Sequence, residues 1–101
     1  MSDAGKALFL VVTIRPKPDR LAEAEAQLQR MRAASLQEAG CVFMHLTQAV
    51  DGETDTWTMI EQFTSQAAWD EHMASDHNRR GNAELEPLLR EPSELRLFVE
   101  K

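Results

Sequence analysis

The hydrophobic pattern of the chain changes period at Arg15-Pro-Lys-Pro18, and this change constrains the fold more than any other feature. Residues 7–14 before it are aliphatic and β-branched as in a strand, and the two prolines prevent the strand from continuing. After it, apolar side chains recur at helical spacing from Leu21 to Met31 with polar ones opposite, and Gly40 is expected to end the helix. A strand and then a long amphipathic helix therefore open the chain.

The remaining strand and helix signals follow in an order that defines a fold class. Asp51-Gly52 marks a turn between two antiparallel strands, Ser65 and Ser75 are predicted helix caps, and Gly81 and Pro87 are candidate breaks. The order β-α-β-β-α-β predicts an α+β, ferredoxin-like fold with a four-stranded antiparallel sheet. The predicted elements after the first helix are strands 41–48 and 56–64, helices 66–73 and 75–89, and a strand at 94–100.

The first strand also predicts a second copy of the chain. Its side chains are apolar on both parities, so both faces of the sheet are apolar at this position. Helices from the two crossovers can cover only one face. We expect the uncovered face to pack against the same face of a partner, giving a homodimer in which sheet meets sheet. Each chain is predicted to form a single domain over residues 7–101 after a disordered tail at 1–6.

The charge and the cysteine content exclude several classes of partner and location. Seventeen acidic and eleven basic residues give a net charge of −6 with the cations scattered, so nucleic acid and anionic membranes are not expected partners. The longest apolar run, 7–12, is far shorter than the roughly 20 residues of a membrane span. Cys41 cannot form an internal disulfide, and no apolar signal segment precedes residue 7, so a cytoplasmic protein is predicted.

Glu61 is the first candidate site residue because it interrupts an apolar row. At the two-residue period of a strand, its face also carries Trp57, Met59 and Phe63. Burial of that face would raise the pKa of the Glu61 carboxyl group and make it a candidate proton acceptor or hydrogen-bond donor in a pocket. The alternative is a structural role, in which Glu61 pairs with Arg15, Arg96 or an arginine of a helix.

Two histidines follow Glu61 in the sequence. His72 comes three residues after Trp69, so both can face the sheet from one side of a short helix, where an imidazole could accept a proton from a ligand. His77 follows the Ser75 cap in the first turn of a new helix, where backbone N–H groups favour an anion or a polarised oxygen. In the alternative interpretation, both imidazoles are structural residues.

The spacing of the remaining polar residues predicts no metal and no cofactor. Three histidines and one cysteine match no zinc pattern, and no histidine pair is spaced i, i+4 on a helix. The four glycines are too far apart for a phosphate-binding loop or a dinucleotide fingerprint. Cys41 is interpreted as a buried strand residue, and His45, on the same parity of its strand, is expected to face solvent or the partner.

Four motifs occur in a fixed order over about residues 7–100. They are Ile14-Arg-Pro-Lys-Pro18 before a helix, Gly40-Cys41 at the start of a strand, Glu61-x-Phe63, and His72-x-x-Ser75-x-His77. This set resembles the antibiotic biosynthesis monooxygenase domain family. The resemblance implies a dimeric α+β barrel with a pocket between sheet and helices, and oxidation of aromatic phenols or quinols by O₂ without a metal, flavin or other prosthetic group.

The resemblance also implies roles for individual residues. Glu61, His72 and His77 match polar positions that recur in the family. Phe63 occupies a place often held by Trp, and Met44 stands where many relatives have Tyr. The haem-degrading branch of the family is set aside, because its strand-one Asn, its Trp and its iron-binding His have no counterparts in this chain.

Together these observations predict a cofactor-independent monooxygenase that deprotonates a small aromatic phenol or quinol, whose anion then reduces O₂. In this hypothesis His72 or His77 is the base and Glu61 orients it. The ligand, aromatic or quinone-like, is expected to contact Trp57, Met59, Phe63, Trp69 and Met44. The alternatives are an isomerase or lyase on the same scaffold, and a non-catalytic barrel that binds a small ligand, because a fold does not determine its chemistry.

Overall fold

The computed structural model describes residues 5–101 and confirms the predicted order of strands and helices over that range. The first four residues of the predicted tail lie outside the described residues. The elements are β1 Leu8–Ile14, α1 Leu21–Ser35, β2 Cys41–Gln48, β3 Trp57–Phe63, α2 Gln66–Ala74, α3 Asp76–Leu85, a turn of 3-10 helix at Glu86–Leu88, and β4 Glu94–Val99.

The four strands form one antiparallel sheet in the order β2-β3-β1-β4. The predicted α+β, ferredoxin-like architecture is therefore confirmed. Glu61 lies in the middle of this sheet, since it pairs with Leu10 of β1 on one side and with Met44 of β2 on the other. Cross-strand partners share a face, so these three side chains all point towards the helices.

A β-bulge near the start of β2 changes which side chains face the helices. Cys41 pairs with Phe63, but the next paired residue is Phe43, because the register shifts between them. The extra residue moves Cys41 to the buried side and leaves His45 on the outer side of the sheet. The prediction that Cys41 and His45 share one parity was therefore wrong, although the prediction of a buried cysteine was right.

The helices α1 and α3 pack together over the inner face of the sheet. The Gln27 side chain donates to the carbonyl oxygen of Gly81 at 3.0 Å across this contact. A Cβ at Gly81 would lie 2.8 Å from Cγ of Met31, so a glycine allows the close approach of the two helices. Gly81 therefore lies within α3 and does not break it, whereas Pro87 does lie in the 3-10 turn that follows.

Gly40 acts differently from the predicted helix stop. Helix α1 ends at Ser35, five residues earlier, and among the described residues the only glycine with a positive φ is Gly52. A Cβ at Gly40 would lie 2.4 Å from Cβ of Ala68 in α2. The absence of a side chain at Gly40 is thus needed for the contact between α2 and the start of β2.

The outer face of the sheet has no helix over it in the described part of the chain. Ile60 and Phe98 on that face are 38% and 39% exposed. The inner face of the edge strand β4 is also poorly covered, since Leu95 and Leu97 are 44% and 49% exposed. None of the described helices is long and apolar enough to span a membrane.

Candidate functional site

A cavity of about 180 Å³ lies between the inner face of the sheet and the helices. Its walls combine Met59 and Glu61 of β3 with residues of α1, α2 and α3, and Leu95 of β4 forms one edge. Three of the predicted site residues, Trp57, Phe63 and His77, are not among the lining residues. The predicted residues that line the cavity are Met44, Met59, Glu61, Trp69 and His72.

Glu61 is a buried carboxyl group without a protein partner in the described part of the chain. It is 7% exposed and makes no hydrogen bond or ion pair with residues 5–101. Arg15 pairs instead with Glu94 at 2.7 Å, and the Arg96 guanidinium lies 5.0 Å from the centre of the Phe98 ring. The structural alternative, an arginine paired with Glu61, is therefore wrong.

The environment of Glu61 favours its neutral form. Burial raises the pKa of the Glu61 carboxyl group from 4.5 to about 7, and the negative charge of Glu38 adds to this shift. Near neutral pH the group is therefore present both as a carboxylic acid and as a carboxylate. Since it lines the cavity, it can donate a hydrogen bond to a ligand in one state and accept one in the other.

The imidazole of His72 is held in a fixed orientation at the end of α2. It is 5% exposed, with ring centres 5.4 Å from Trp69 and 4.9 Å from Phe63. Its Nδ1 lies 3.0 Å from Oε2 and 3.2 Å from Oε1 of Glu38. A carboxylate accepts hydrogen bonds, so Nδ1 carries the proton and the neutral ring keeps a lone pair on Nε2.

That second nitrogen of His72 is available to a ligand. Nε2 makes no hydrogen bond with any residue of the described range 5–101. Every fully buried side-chain nitrogen and oxygen in that range has a hydrogen-bond partner, so Nε2 is not one of the fully buried atoms. Nε2 is therefore accessible, and the cavity is the space that His72 lines. The arrangement of carboxylate, imidazole and open site follows the logic of a base oriented by a third group.

Glu38 is the functional candidate that sequence reasoning missed. It lies in the turn between α1 and β2, 34 residues before His72, and Glu38 rather than Glu61 is the carboxylate that hydrogen-bonds to the His72 ring. The predicted strand order did contain a signal that Glu38 lies near α2. β2 pairs with β3 and α2 follows β3, so the turn before β2 must lie near α2, as the hydrogen bond from Thr64 N to Gly40 O confirms.

His77 contacts the Glu38 carboxylate and lies outside the cavity. Its Nε2 is 2.5 Å from Oε2 of Glu38, and its ring centre is 6.0 Å from that of His72. It borders a shallow groove on the outside of α1 and α3, next to Arg30 and Arg80. The two histidines therefore contact the same carboxylate, but only His72 lines the cavity.

The nitrogen and oxygen atoms of Glu38, His72 and His77 that could bind a metal all lie within 4.8 Å of one another. No other group of this kind occurs in residues 5–101. The histidine and cysteine spacing considered from the sequence could not find it, because the carboxylate comes from a distant turn.

The two other predicted wall residues have packing roles. Phe63 is fully buried and meets Trp69 edge to face at 5.5 Å between ring centres. Trp57 is 6% exposed and donates from Nε1 to the carbonyl oxygen of Thr54 at 3.1 Å. Phe63 thus packs against Trp69 and His72, which line the cavity, whereas Trp57 belongs to the core. Cys41 is also inert, because burial raises the pKa of its thiol to about 11.

Two amides of α3 and several methionines complete the lining. Asn78, which is 7% exposed, and Asn82 both border the cavity and hydrogen-bond to each other at 3.2 Å. Sequence reasoning missed them because the asparagines of a polar helix look solvent-exposed. The flexible thioether walls are provided by Met31, Met44, Met59 and Met73.

Comparison with known proteins gives the family. The profile described as antibiotic biosynthesis monooxygenase matches residues 7–84, which run from β1 to the next-to-last residue of α3 and include Glu38, Glu61 and His72. The chain belongs to the antibiotic biosynthesis monooxygenase family. The recognition made from the four motifs is confirmed. None of the curated proteins matches the chain significantly.

Solved structures of this antibiotic biosynthesis monooxygenase fold are abundant. A Pseudomonas aeruginosa protein is 28% identical and has a TM-score of 0.83, with 95% of each chain covered. A Methanosarcina mazei protein is 22% identical with a TM-score of 0.89, covering 98% of this chain and 97% of that one. A Caulobacter crescentus protein, provisionally assigned to the family, is 21% identical with a TM-score of 0.87, covering 96% and 92%.

Proposed function

We propose that this family member is a cofactor-independent monooxygenase that oxidises a phenol or quinol with a single aromatic ring. One observation carries the proposal: the Glu61 carboxyl group, which has no partner among residues 5–101, and the His72 imidazole, which Glu38 orients, line the same apolar cavity. Apolar walls suit an aromatic ring, and a few polar groups fix its orientation.

The cavity volume limits the size of the substrate. A dry cavity of about 150 Å³ is enough to bind benzene. The 180 Å³ here therefore accommodates one ring with a few small substituents, and a fused tricyclic compound would have to extend past the open edge at Leu95. The polarisable methionine walls fit around a planar ring without a rigid imprint of its shape.

The residues divide the proposed reaction between them. Nε2 of His72 accepts the proton of the substrate hydroxyl while Glu38 keeps the Nδ1 proton in place. The neutral form of Glu61 donates a hydrogen bond to the oxygen of the resulting anion, which a charged carboxylate would repel. The electron-rich ring supplies all four electrons that reduce O₂: one oxygen atom enters the ring, the other leaves as water with the two hydrogens that the ring loses, and a phenol becomes a quinone.

We further propose that the working form is a homodimer joined through the outer face of the sheet. Phe9, Ile60 and Phe98 form an apolar strip there with no helix above it in the described part of the chain. A domain of about 100 residues has a thin core, so burying this strip against a second copy would stabilise the fold. Sedimentation equilibrium tests this proposal, and a monomer at all concentrations contradicts it.

Oxygen consumption tests the proposed activity. Untagged, chelator-treated protein is mixed with single-ring phenols and quinols in an oxygen-electrode cell, and products are identified by mass spectrometry after use of ¹⁸O₂. The proposal expects one labelled oxygen atom in the product and a rate that falls at least tenfold in His72→Ala. Turnover that continues without O₂ would instead favour an isomerase or lyase. Thermal stabilisation by a ligand with no turnover would favour a binding protein.

A further inference from the structure

The Glu38, His72 and His77 side chains form a cluster that the proposed oxidation does not fully use. Glu38 lies in the turn between α1 and β2, His72 in the last turn of α2, and His77 in the first turn of α3. Only the Nδ1 side of His72 faces this cluster. His77 has no part in the proposed reaction, so its convergence on the same carboxylate oxygen calls for a separate explanation.

The candidate donor atoms of the cluster all lie within 4.8 Å of one another, and the distances from Glu38 to the two imidazoles are close to those around a single small cation. Zinc binds imidazole nitrogen and carboxylate oxygen at about 2.0–2.2 Å, so two atoms on one ion lie about 3.0–3.5 Å apart. Nδ1 of His72 is 3.0 Å and 3.2 Å from the two oxygens of Glu38. Nε2 of His77 lies 2.5 Å from Oε2 and has to move out by less than 1 Å.

The donor set and its surroundings match those of known metal sites. Two imidazoles and one carboxylate are the protein ligands of many catalytic zinc centres and of two-histidine, one-carboxylate iron sites. His72 is already oriented by the Trp69 and Phe63 rings, so little conformational entropy is lost on binding. The side chains of Glu38 and His77 are 22% and 31% exposed, which leaves an entry path and room for water as a further ligand.

We propose that Glu38, His72 and His77 bind one first-row divalent transition-metal ion, of which Zn²⁺ is the representative. The ion occupies the space between the two imidazoles on the outer side of His72, away from the cavity. This site does not depend on the proposed oxygenase activity, because its ligands are assembled without a substrate and its occupancy can be measured in the absence of one.

Titration of untagged protein with Zn²⁺ alone, followed by isothermal calorimetry and by competition with a chromogenic chelator, tests the site. The proposal expects one ion per chain. Loss of a ligand is expected to weaken the affinity tenfold or more in His77→Ala, since even changes behind the ligands cost 10- to 100-fold. His45→Ala is the matched control: this third histidine lies on the outer face of the sheet, stacked on Phe43, and is expected to bind Zn²⁺ like the unmodified chain.

Co²⁺ alone gives a second measurement that does not depend on the variants folding. The paramagnetic ion is expected to shift or broaden the ring resonances of His72 and His77 in proton NMR spectra and to leave those of His45 unaffected. The proposal is overturned if Zn²⁺ does not bind at micromolar concentration, if His77→Ala binds as tightly as the unmodified protein, or if Co²⁺ perturbs all three histidines equally.

Discussion

The two sides of β3 differ in burial and in their neighbours, although alternate residues of one seven-residue strand form them. The inner side, with Trp57, Met59, Glu61 and Phe63, is buried under the helices and borders a cavity, whereas Ile60 on the outer side is 38% exposed and no helix of residues 5–101 covers it. The one polar group on its inner side, Glu61, has no partner within residues 5–101 and suits the ligand site proposed above. The apolar strip on its outer side suits the homodimer contact proposed above. The difference separates chemistry from association and predicts that they can be changed independently.

The largest expected effect is the loss of the proposed base on the inner side. His72→Ala should lower kcat/KM by about 10²- to 10⁴-fold, the usual contribution of a positioned base. His45→Ala on the outer side should change kcat/KM less than twofold. Steady-state oxygen uptake measures both. Equal losses in the two variants would show that the inner and outer sides are not functionally distinct.

A second prediction concerns the charge of Glu61 and gives a pH dependence. Below pH 4.5 the folded and unfolded chains are both protonated at this group. As the pH rises from 4.5 towards 7, the unfolded chain loses the proton and the folded chain keeps it, so stability decreases. Glu61→Gln should therefore be more stable than the unmodified protein at pH 8, by roughly 3 kcal/mol at most, and show no such gain at pH 4.

Urea denaturation at the two pH values measures this difference. Glu25→Gln, an exposed position on α1, is the control and should show no comparable pH-dependent gain.

The protonation of Glu61 should also affect catalysis. If neutral Glu61 donates to the substrate anion, kcat/KM falls as the pH rises through about 7, and this limb disappears in Glu61→Gln. If kcat/KM of Glu61→Gln still fell above about pH 7, the pH dependence would belong to another ionisable group.

A smaller effect is expected where α2 meets the start of β2. Gly40→Ala places a Cβ 2.4 Å from that of Ala68 and should cost about 1–3 kcal/mol of unfolding free energy, as other overpacked sites do. Gly5→Ala, where nothing lies within 4 Å, is the control. The double variant Gly40→Ala with Ala68→Gly should recover most of the loss in thermal denaturation, and no recovery would mean that the contact is not the cause.

The smallest expected effect tests the outer side. Ile60→Asp introduces a charge into the proposed interface and should weaken the dimer on the order of tenfold, while Ile60→Val should not. Sedimentation velocity over a concentration series measures the change. Ligand binding to the cavity should stay within twofold of normal, since Ile60 points away from it. A variant that keeps its dimer would place the interface elsewhere.

The sequence predicted the fold because its signals are local. The change from strand period to helix period at Pro16 and Pro18 and the period of two in β3 determine where elements lie and which side of β3 carries Glu61. The bulge between Cys41 and Phe43 could not be predicted, because one extra residue leaves no compositional mark. It reversed the inferred facing of Cys41 and His45 relative to each other.

The site was predicted only in part for the same reason. Glu61 and His72 were found because each interrupts or accompanies an apolar pattern within its own element. Glu38 joins His72 only through the pairing of β2 with β3, a contact across 34 residues that has no counterpart in local spacing. Gly40 was recognised as important but for the wrong reason, since its neighbour in space, Ala68, lies in another element.

The position of His72 has one more consequence. Its ring is the part of the molecule where the cavity wall and the surface cluster meet, because it is the only one of the three cluster residues that also lines the cavity. A neutral imidazole carries one proton, on either Nδ1 or Nε2. If a cation took the place of the proton on Nδ1, the proton of the neutral ring would be on Nε2. Nε2 would then donate a hydrogen bond into the cavity and could no longer accept the proton of the substrate. Dissolved metal would thus act as an inhibitor that never enters the cavity or competes with the substrate.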